Sequence, residues 1–247
     1  MQSFKDYLIE SAKSDQYEID VANHINTLGD NLKAERPKVS AKYADVRVER
    51  DGNTTWLEVK MNHTDNLSNP RVFFDGKKWD TTYNTPSAKL AVDKLNKSKE
   101  AAEFLKAIAK FSGIDNPKIP TTKSGLKDPN AVPLKVMKDF FAQPGINRYI
   151  MSEPNINLGK VVTDHYLKGK AEPAHYMQAG DDFYMIGKSN PLNVPKNVPQ
   201  LDGVGPFKIR VATRSQFYEV QAEIKISEMP SSRYSIKPGS SKKNPFA

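Results

Sequence analysis

The chain has 247 residues, with 37 lysines and arginines against 29 aspartates and glutamates, a formal charge of +8 and 38% hydrophobic residues. That length can bury one sizeable core, or one core with a smaller appended lobe, and the basic excess favours a polyanionic partner such as nucleic acid. The absence of cysteine excludes disulfides and thiolate zinc sites. No apolar run is long enough to span a bilayer, and Met1-Gln2-Ser3-Phe4-Lys5-Asp6-Tyr7 lacks the apolar stretch of a signal peptide, so a cytoplasmic protein is expected.

Residues 3–12 read as a short helix with Phe4, Leu8 and Ile9 on its apolar face. A second helix is predicted over 17–28, where Tyr17, Val21, Ala22, Ile25 and Leu28 share one arc, Asp15 serving as N-cap and Gly29 as C-cap. Glu18 falls inside that arc, whereas Asp20, Asn23, Asn26 and Thr27 lie outside it. A charge on a face that packs against a sheet needs a partner or a metal. Glu10 is a rival for this inward position, on a weaker helix further from the hairpin that follows. Residues 33–42 form a basic connection, suited to a solvated loop or to a phosphate backbone.

From Tyr43 to Met61 two alternating runs flank Asp51-Gly52, a dipeptide that accepts the positive φ angles of a type I′ turn. Ala44, Val46 and Val48 share one face with Leu57, Val59 and Met61; Tyr43, Asp45, Arg47 and Glu49 share the other with Trp56, Glu58 and Lys60. A two-residue turn places Asp45 across from Glu58, with Cβ atoms roughly 4.5–5.5 Å apart. Two carboxylates this close repel unless they share a cation, and oxygen ligands suit Mg²⁺ or Mn²⁺. Lys60, on the same face, can hold or polarise an attacking water, or neutralise developing charge. The competing reading is an exposed hairpin whose polar face carries ordinary charges.

A helix with an inward glutamate, an aspartate on a strand and Glu-x-Lys on the neighbouring strand, here Glu18, Asp45 and Glu58-Val59-Lys60, resembles the PD-(D/E)XK superfamily of restriction, recombination and phage nucleases over roughly residues 15–80. The resemblance implies a restriction-endonuclease-like α/β fold, a mixed β-sheet core flanked by helices. It also implies a Mg²⁺-dependent DNA endonuclease, Mn²⁺ substituting, in which Glu18, Asp45, Glu58 and the backbone carbonyl of Val59 hold metal and Lys60 assists the water. Ala44 stands before Asp45 where many members have proline, and Asn62 and His63 lie just beyond the lysine, where several members carry an amide or imidazole. RNA as substrate, and a homodimer able to cut both strands, stay open.

Further along, Arg71-Val72-Phe73-Phe74 reads as a strand, followed by a turn in which Lys77, Lys78 and Trp79 either contact nucleic acid or anchor a strand end. Residues 87–111 read as one long helix with Ser87 as N-cap, Gly113 past its end and a lysine-rich solvated face. Residues 116–133 read as a loop or linker, Val136–Phe141 as a helix and Asn147-Arg148-Tyr149-Ile150 as a helix end. A hairpin over His175–Gly187 and strands over 208–214 and 218–226 make a β-rich C-terminal lobe. The expected organisation is thus a nuclease core over 1–115, a lobe over 134–230 packed on it and a flexible basic tail over 231–247.

Arg47, Arg71, Lys77, Lys78, Lys208, Arg210 and Arg214 are candidate DNA contacts. A second Glu-x-Lys, Glu223-Ile224-Lys225, reads with Glu219 and Gln221 as the polar face of a half-buried strand. The histidines lack zinc-protease spacing, and neither a phosphate-binding Gly-x-x-x-x-Gly-Lys loop nor a Gly-x-Ser-x-Gly elbow occurs. The main alternative to a nuclease is a non-catalytic DNA-binding or phage structural protein whose acids form an ion-pair cluster with Lys60 and Arg47.

Overall fold

The computed structural model describes residues 4–37 and 43–247, with side chains from residue 12 onward. In chain order its elements are α1 (Phe4–Ile25), β1 (Leu32–Glu35), β2 (Val46–Arg50), β3 (Asn53–Lys60), β4 (Arg71–Phe74), β5 (Trp79–Asp80), α2 (Pro86–Lys97), α3 (Lys99–Ser112), α4 (Leu134–Phe141), β6 (Tyr149–Asn157), α5 (Gly159–Lys168), β7 (Ala174–Ala179), β8 (Asp182–Met185), β9 (Val204–Thr213) and β10 (Tyr218–Ile224). The described residues form a mixed α/β protein with two five-stranded sheets, ordered β1-β2-β3-β7-β8 and β5-β4-β10-β9-β6. Each sheet belongs to its own compact unit. The first unit comprises residues 1–65, 163–203 and 226–247; the second comprises 66–162 and 204–225. The linear division into core, linker, lobe and tail is therefore replaced by two interleaved units.

In the first unit the β2–β3 hairpin forms as expected. Asp51 and Gly52 have φ of 51° and 79°, the two positive angles a type I′ turn requires. Pairing runs from Arg50↔Asn53 to Val46↔Leu57. The ladder ends there, one residue short of the expected Asp45–Glu58 pair: Asp45 lies before β2, and its Oδ2 accepts the backbone N–H of Val59 at 2.9 Å. β3 is the central strand, antiparallel to β2 and parallel to β7 with Leu57 beside Tyr176 and Lys60 beside Ala179. Covered on both faces, it buries Trp56, Leu57, Glu58 and Val59 alike, so the competing reading of an exposed hairpin with an ordinary polar face does not hold along β3.

Val21, Ala22 and Ile25 of α1 share the core with Val46, Val48, Leu57, Val59, Tyr176 and Phe183. Each fully buried aliphatic or aromatic side chain contributes about 1.5–3 kcal/mol. α1 is a single helix, so Asp15 is an interior position rather than an N-cap; residues 12–16 contain no glycine or proline to break the backbone ladder. Nor does Gly29 cap it. The helix stops at Ile25, and the Asn26 side chain both donates to and accepts from the backbone of Ala34 in β1. Glu10, and the apolar face of Phe4, Leu8 and Ile9, lie outside the described side chains, as do Lys38–Lys42 of the basic connection. The C-terminal segment is packed: Tyr234, Ile236 and Phe246 enter the same core, and Lys242 pairs with Asp182 at 2.7 Å. Three apolar anchors outweigh the four cations from which a flexible tail is predicted.

In the second unit β10 is central, with Val220, Ala222 and Ile224 fully buried on one face beside Phe207, Ile209 and Val211 of β9. Trp79 is buried and its backbone is clamped by the Asn96 side chain, which settles that residue as an anchor. Asn147-Arg148-Tyr149-Ile150 leads into β6 and is not a helix end. The long helix over 87–111 is two helices, because Ser98 both closes α2 and caps α3, its Oγ accepting the N–H of Ala101. Thr85, not Ser87, caps α2. We expect Ser98→Ala to lower stability by about 1 kcal/mol, read as a shift in the urea midpoint at unchanged slope.

Candidate active site

Four side chains meet at the open end of the β2–β3 hairpin, all within the first unit. Glu58 is 4% exposed, and Lys60, two residues on, places its Nζ 2.5 Å from Glu58 Oε1. The Tyr166 hydroxyl of α5 donates to the same oxygen at 3.2 Å. Lys170 stands 3.9 Å from Glu58 Oε2, where its Nζ also donates to the carbonyl of Tyr43 at 3.1 Å and lies over the Tyr166 ring. Among the described residues, none donates a hydrogen bond to the buried Glu58 Oε2. Burial works to raise the pKa of Glu58, but the two ammonium groups and the bonds from Lys60 and Tyr166 outweigh it and hold the carboxyl below its ordinary value.

Asp45 behaves in the opposite sense. Part of its surface reaches solvent, yet protein packed around it removes enough water to push its pKa up to about 7, with the Glu58 and Glu18 charges adding to the shift and Lys60 and the Val59 N–H opposing it. Two carboxylates thus share one site with their acidities driven apart, an arrangement concentrated at functional sites. For Lys60, burial favours the neutral amine, but Glu58, Tyr166 and Asp45 overcome it and raise its pKa well above normal. Lys60 is therefore a fixed cation. His165 is pushed down to about 4 by burial and then by Lys170, so it is neutral near pH 7.

Glu18 is 9% exposed, as its place in the apolar arc of α1 predicts, but its partner is Arg36, whose Nε lies 2.5 Å from Oε2 while its NH2 binds Asp15. Arg47, expected beside Lys60, pairs instead with Glu35 of β1 at 3.2 Å. Among the described residues no three Asp, Glu or His side chains converge to hold a metal ion. The donors that fit a hard divalent cation are Asp45 and Glu58, with Glu58 Oε2 as the oxygen that lacks a donor.

Tyr166, Lys170 and Arg36 were not legible as site residues. The four-residue spacing of Leu158, Val162 and Tyr166, all buried, is the pattern that betrays α5; Lys170 just beyond it carries no such signal. Of the remaining candidate contacts, Arg71 and Arg214 both pair with Glu219, Arg210 with Glu223 and Lys78 with Asp80. Lys208 lies over the Tyr149 ring, and Lys77 donates its backbone N–H to Asp75.

No helix among the described residues is long and apolar enough to cross a membrane. No family model matches the chain, and no curated protein matches it. Among solved structures, the HhaI endonuclease in complex with DNA is similar at 13% identity over 87% of this chain and 86% of that one, with a TM-score of 0.22, a likeness too slight to carry an argument about function.

Proposed function

We propose that the β2–β3 hairpin carries a metal-dependent phosphodiesterase site acting on DNA. The observation that supports it most is the pair of carboxylates, one with its pKa raised to about 7 and the other with a buried oxygen lacking a donor among the described residues, beside a lysine held as a cation. Asp45, Glu58 and the backbone carbonyl of Val59 would hold one divalent ion, Mg²⁺ or Mn²⁺; Glu18 would join them only on release of Arg36. Such an ion lowers the pKa of a bound water and polarises a phosphoryl oxygen. Lys60, permanently charged, orients the attacking water and neutralises charge on the phosphate; it is not a proton acceptor. Tyr166 and Lys170 keep Glu58 ionised and fixed in place.

A second reading has its own support. Glu18, Asp45 and Glu58 are balanced by Arg36, Lys60 and Lys170, which fits a closed ion-pair cluster in a non-catalytic protein. The two differ in their response to metal. If the carboxylates bind Mn²⁺ or Mg²⁺, the melting temperature of the wild type rises with metal concentration, by about 2.7 kcal/mol of added stability at a hundredfold excess over Kd. The gain disappears in Glu58→Gln. An ion-pair cluster melts at the same temperature with metal or with EDTA.

A further inference from the structure

The polar face of the second sheet is built unlike an ordinary solvated strand face. In β10 the side chains of Glu219, Gln221 and Glu223 alternate with the apolar core residues, yet they are only 2%, 7% and 8% exposed. Charges at that burial need partners, and each has them. Glu219 receives Arg214 through both Nε and NH2, at 3.1 and 2.9 Å, and Arg71 at 2.8 Å on its other oxygen. Glu223 receives Arg210 at 2.7 Å, and Gln221, with its amide turned, accepts from the same guanidinium. Beside them Lys208 stacks over Tyr149, its Nζ 5.0 Å from the ring centre.

The cations themselves remain accessible: the side chains of Arg71, Arg210 and Arg214 are 44%, 38% and 46% exposed. A guanidinium carries more N–H donors than one carboxylate can take, so a fork held from below still presents donors outward. Four cations stand over two acids, leaving the face positive. Lys208 and Arg210 stand two apart on β9, about 6.7 Å, with Arg214 just past its end and Arg71 on β4 across β10, so the cations spread over one face of the sheet, and their fixed geometry reduces the ordering cost of engaging an anion.

We infer that this face, through Arg71, Arg210, Arg214 and Lys208, docks the phosphate backbone of duplex DNA, the buried carboxylates serving to hold the guanidiniums in position. The inference shares with the proposed function its nucleic-acid partner but not its chemistry. Binding is therefore measured in EDTA on Asp45→Asn protein, by fluorescence anisotropy with a fluorescein-labelled duplex over a range of salt concentrations. Arg71→Ala with Lys208→Ala leaves Glu219 its bond to Arg214 and Glu223 its bond to Arg210. Together they lower affinity roughly tenfold or more and reduce the slope of log K against log salt by about two, one unit for each phosphate no longer neutralised. Arg71→Lys with Lys208→Arg, which keep the charges, preserve the slope. Lys97→Ala with Lys135→Ala, which remove exposed lysines elsewhere, leave both quantities unchanged. An unaltered slope in the first variant, an equal loss in the Lys97/Lys135 control, or no duplex binding by the parent protein overturns the inference. Failure of cleavage in a separate metal-containing assay bears only on the catalytic reading.

Discussion

Lys60→Met is expected to lower metal-dependent cleavage of DNA by about 10³-fold, with the protein still folded. The methionine keeps most of the buried stem and removes the ammonium, the one group at the site that is both fixed by β3 and protonated at every physiological pH. Loss of the charge leaves the buried Glu58 carboxylate with Tyr166 and Lys170, so the variant also loses about 3 kcal/mol of stability. Rates are compared well below the melting transition, with circular dichroism confirming the fold. Because the ammonium acts on charge that develops during hydrolysis, the loss falls on kcat more than on KM. Activity retained within threefold of wild type would remove Lys60 from the mechanism.

Asp45→Asn is expected to stabilise the protein above about pH 7 while abolishing cleavage. The folded state raises the Asp45 pKa from 3.8 to about 7, so between those values the native chain binds a proton that the unfolded chain does not. Wild-type stability accordingly declines as pH rises from about 4 to about 7 and stays lower above that. Asparagine retains an oxygen to accept the Val59 N–H and has no charge to desolvate. Near pH 8 the variant should be more stable by about 2 kcal/mol, or roughly 4–8 °C in Tm, the full shift being reduced by the solvent that reaches this carboxyl. Near pH 4 the two proteins should melt together. Glu58 runs the other way: its lowered pKa contributes stability above the ordinary carboxyl range, lost as pH falls through the folded value. A destabilised Asp45→Asn at pH 8 would show that the carboxylate is held by favourable contacts rather than strained. Groups tuned for activity at a cost in stability are characteristic of functional sites.

What could be read from the sequence was what short-range chemistry determines. Asp51-Gly52 dictates its turn, the turn dictates the register, and the register brings Asp45 to the end of the ladder within reach of Glu58 and Lys60. The arc of α1 likewise predicts that Glu18 is buried. The rest depends on partners far along the chain. β7, which pairs in parallel with β3 and makes it the central strand, lies more than a hundred residues away, and no local pattern announces that pairing. Arg36 sits in a basic connection that looks solvated, yet it is the residue that neutralises Glu18. The alternation of Glu219, Gln221 and Glu223 was legible, but not their burial beneath arginines from β4, β9 and the turn after β9.

The most direct test of the central claim is incubation of the purified wild-type chain with supercoiled plasmid in Mg²⁺, in Mn²⁺ and in EDTA, beside Asp45→Ala. The account predicts nicking or linearisation in either metal, none in EDTA and none by the folded variant. Plasmid that stays supercoiled in both metals, or cleavage that persists in EDTA or in Asp45→Ala, would contradict it.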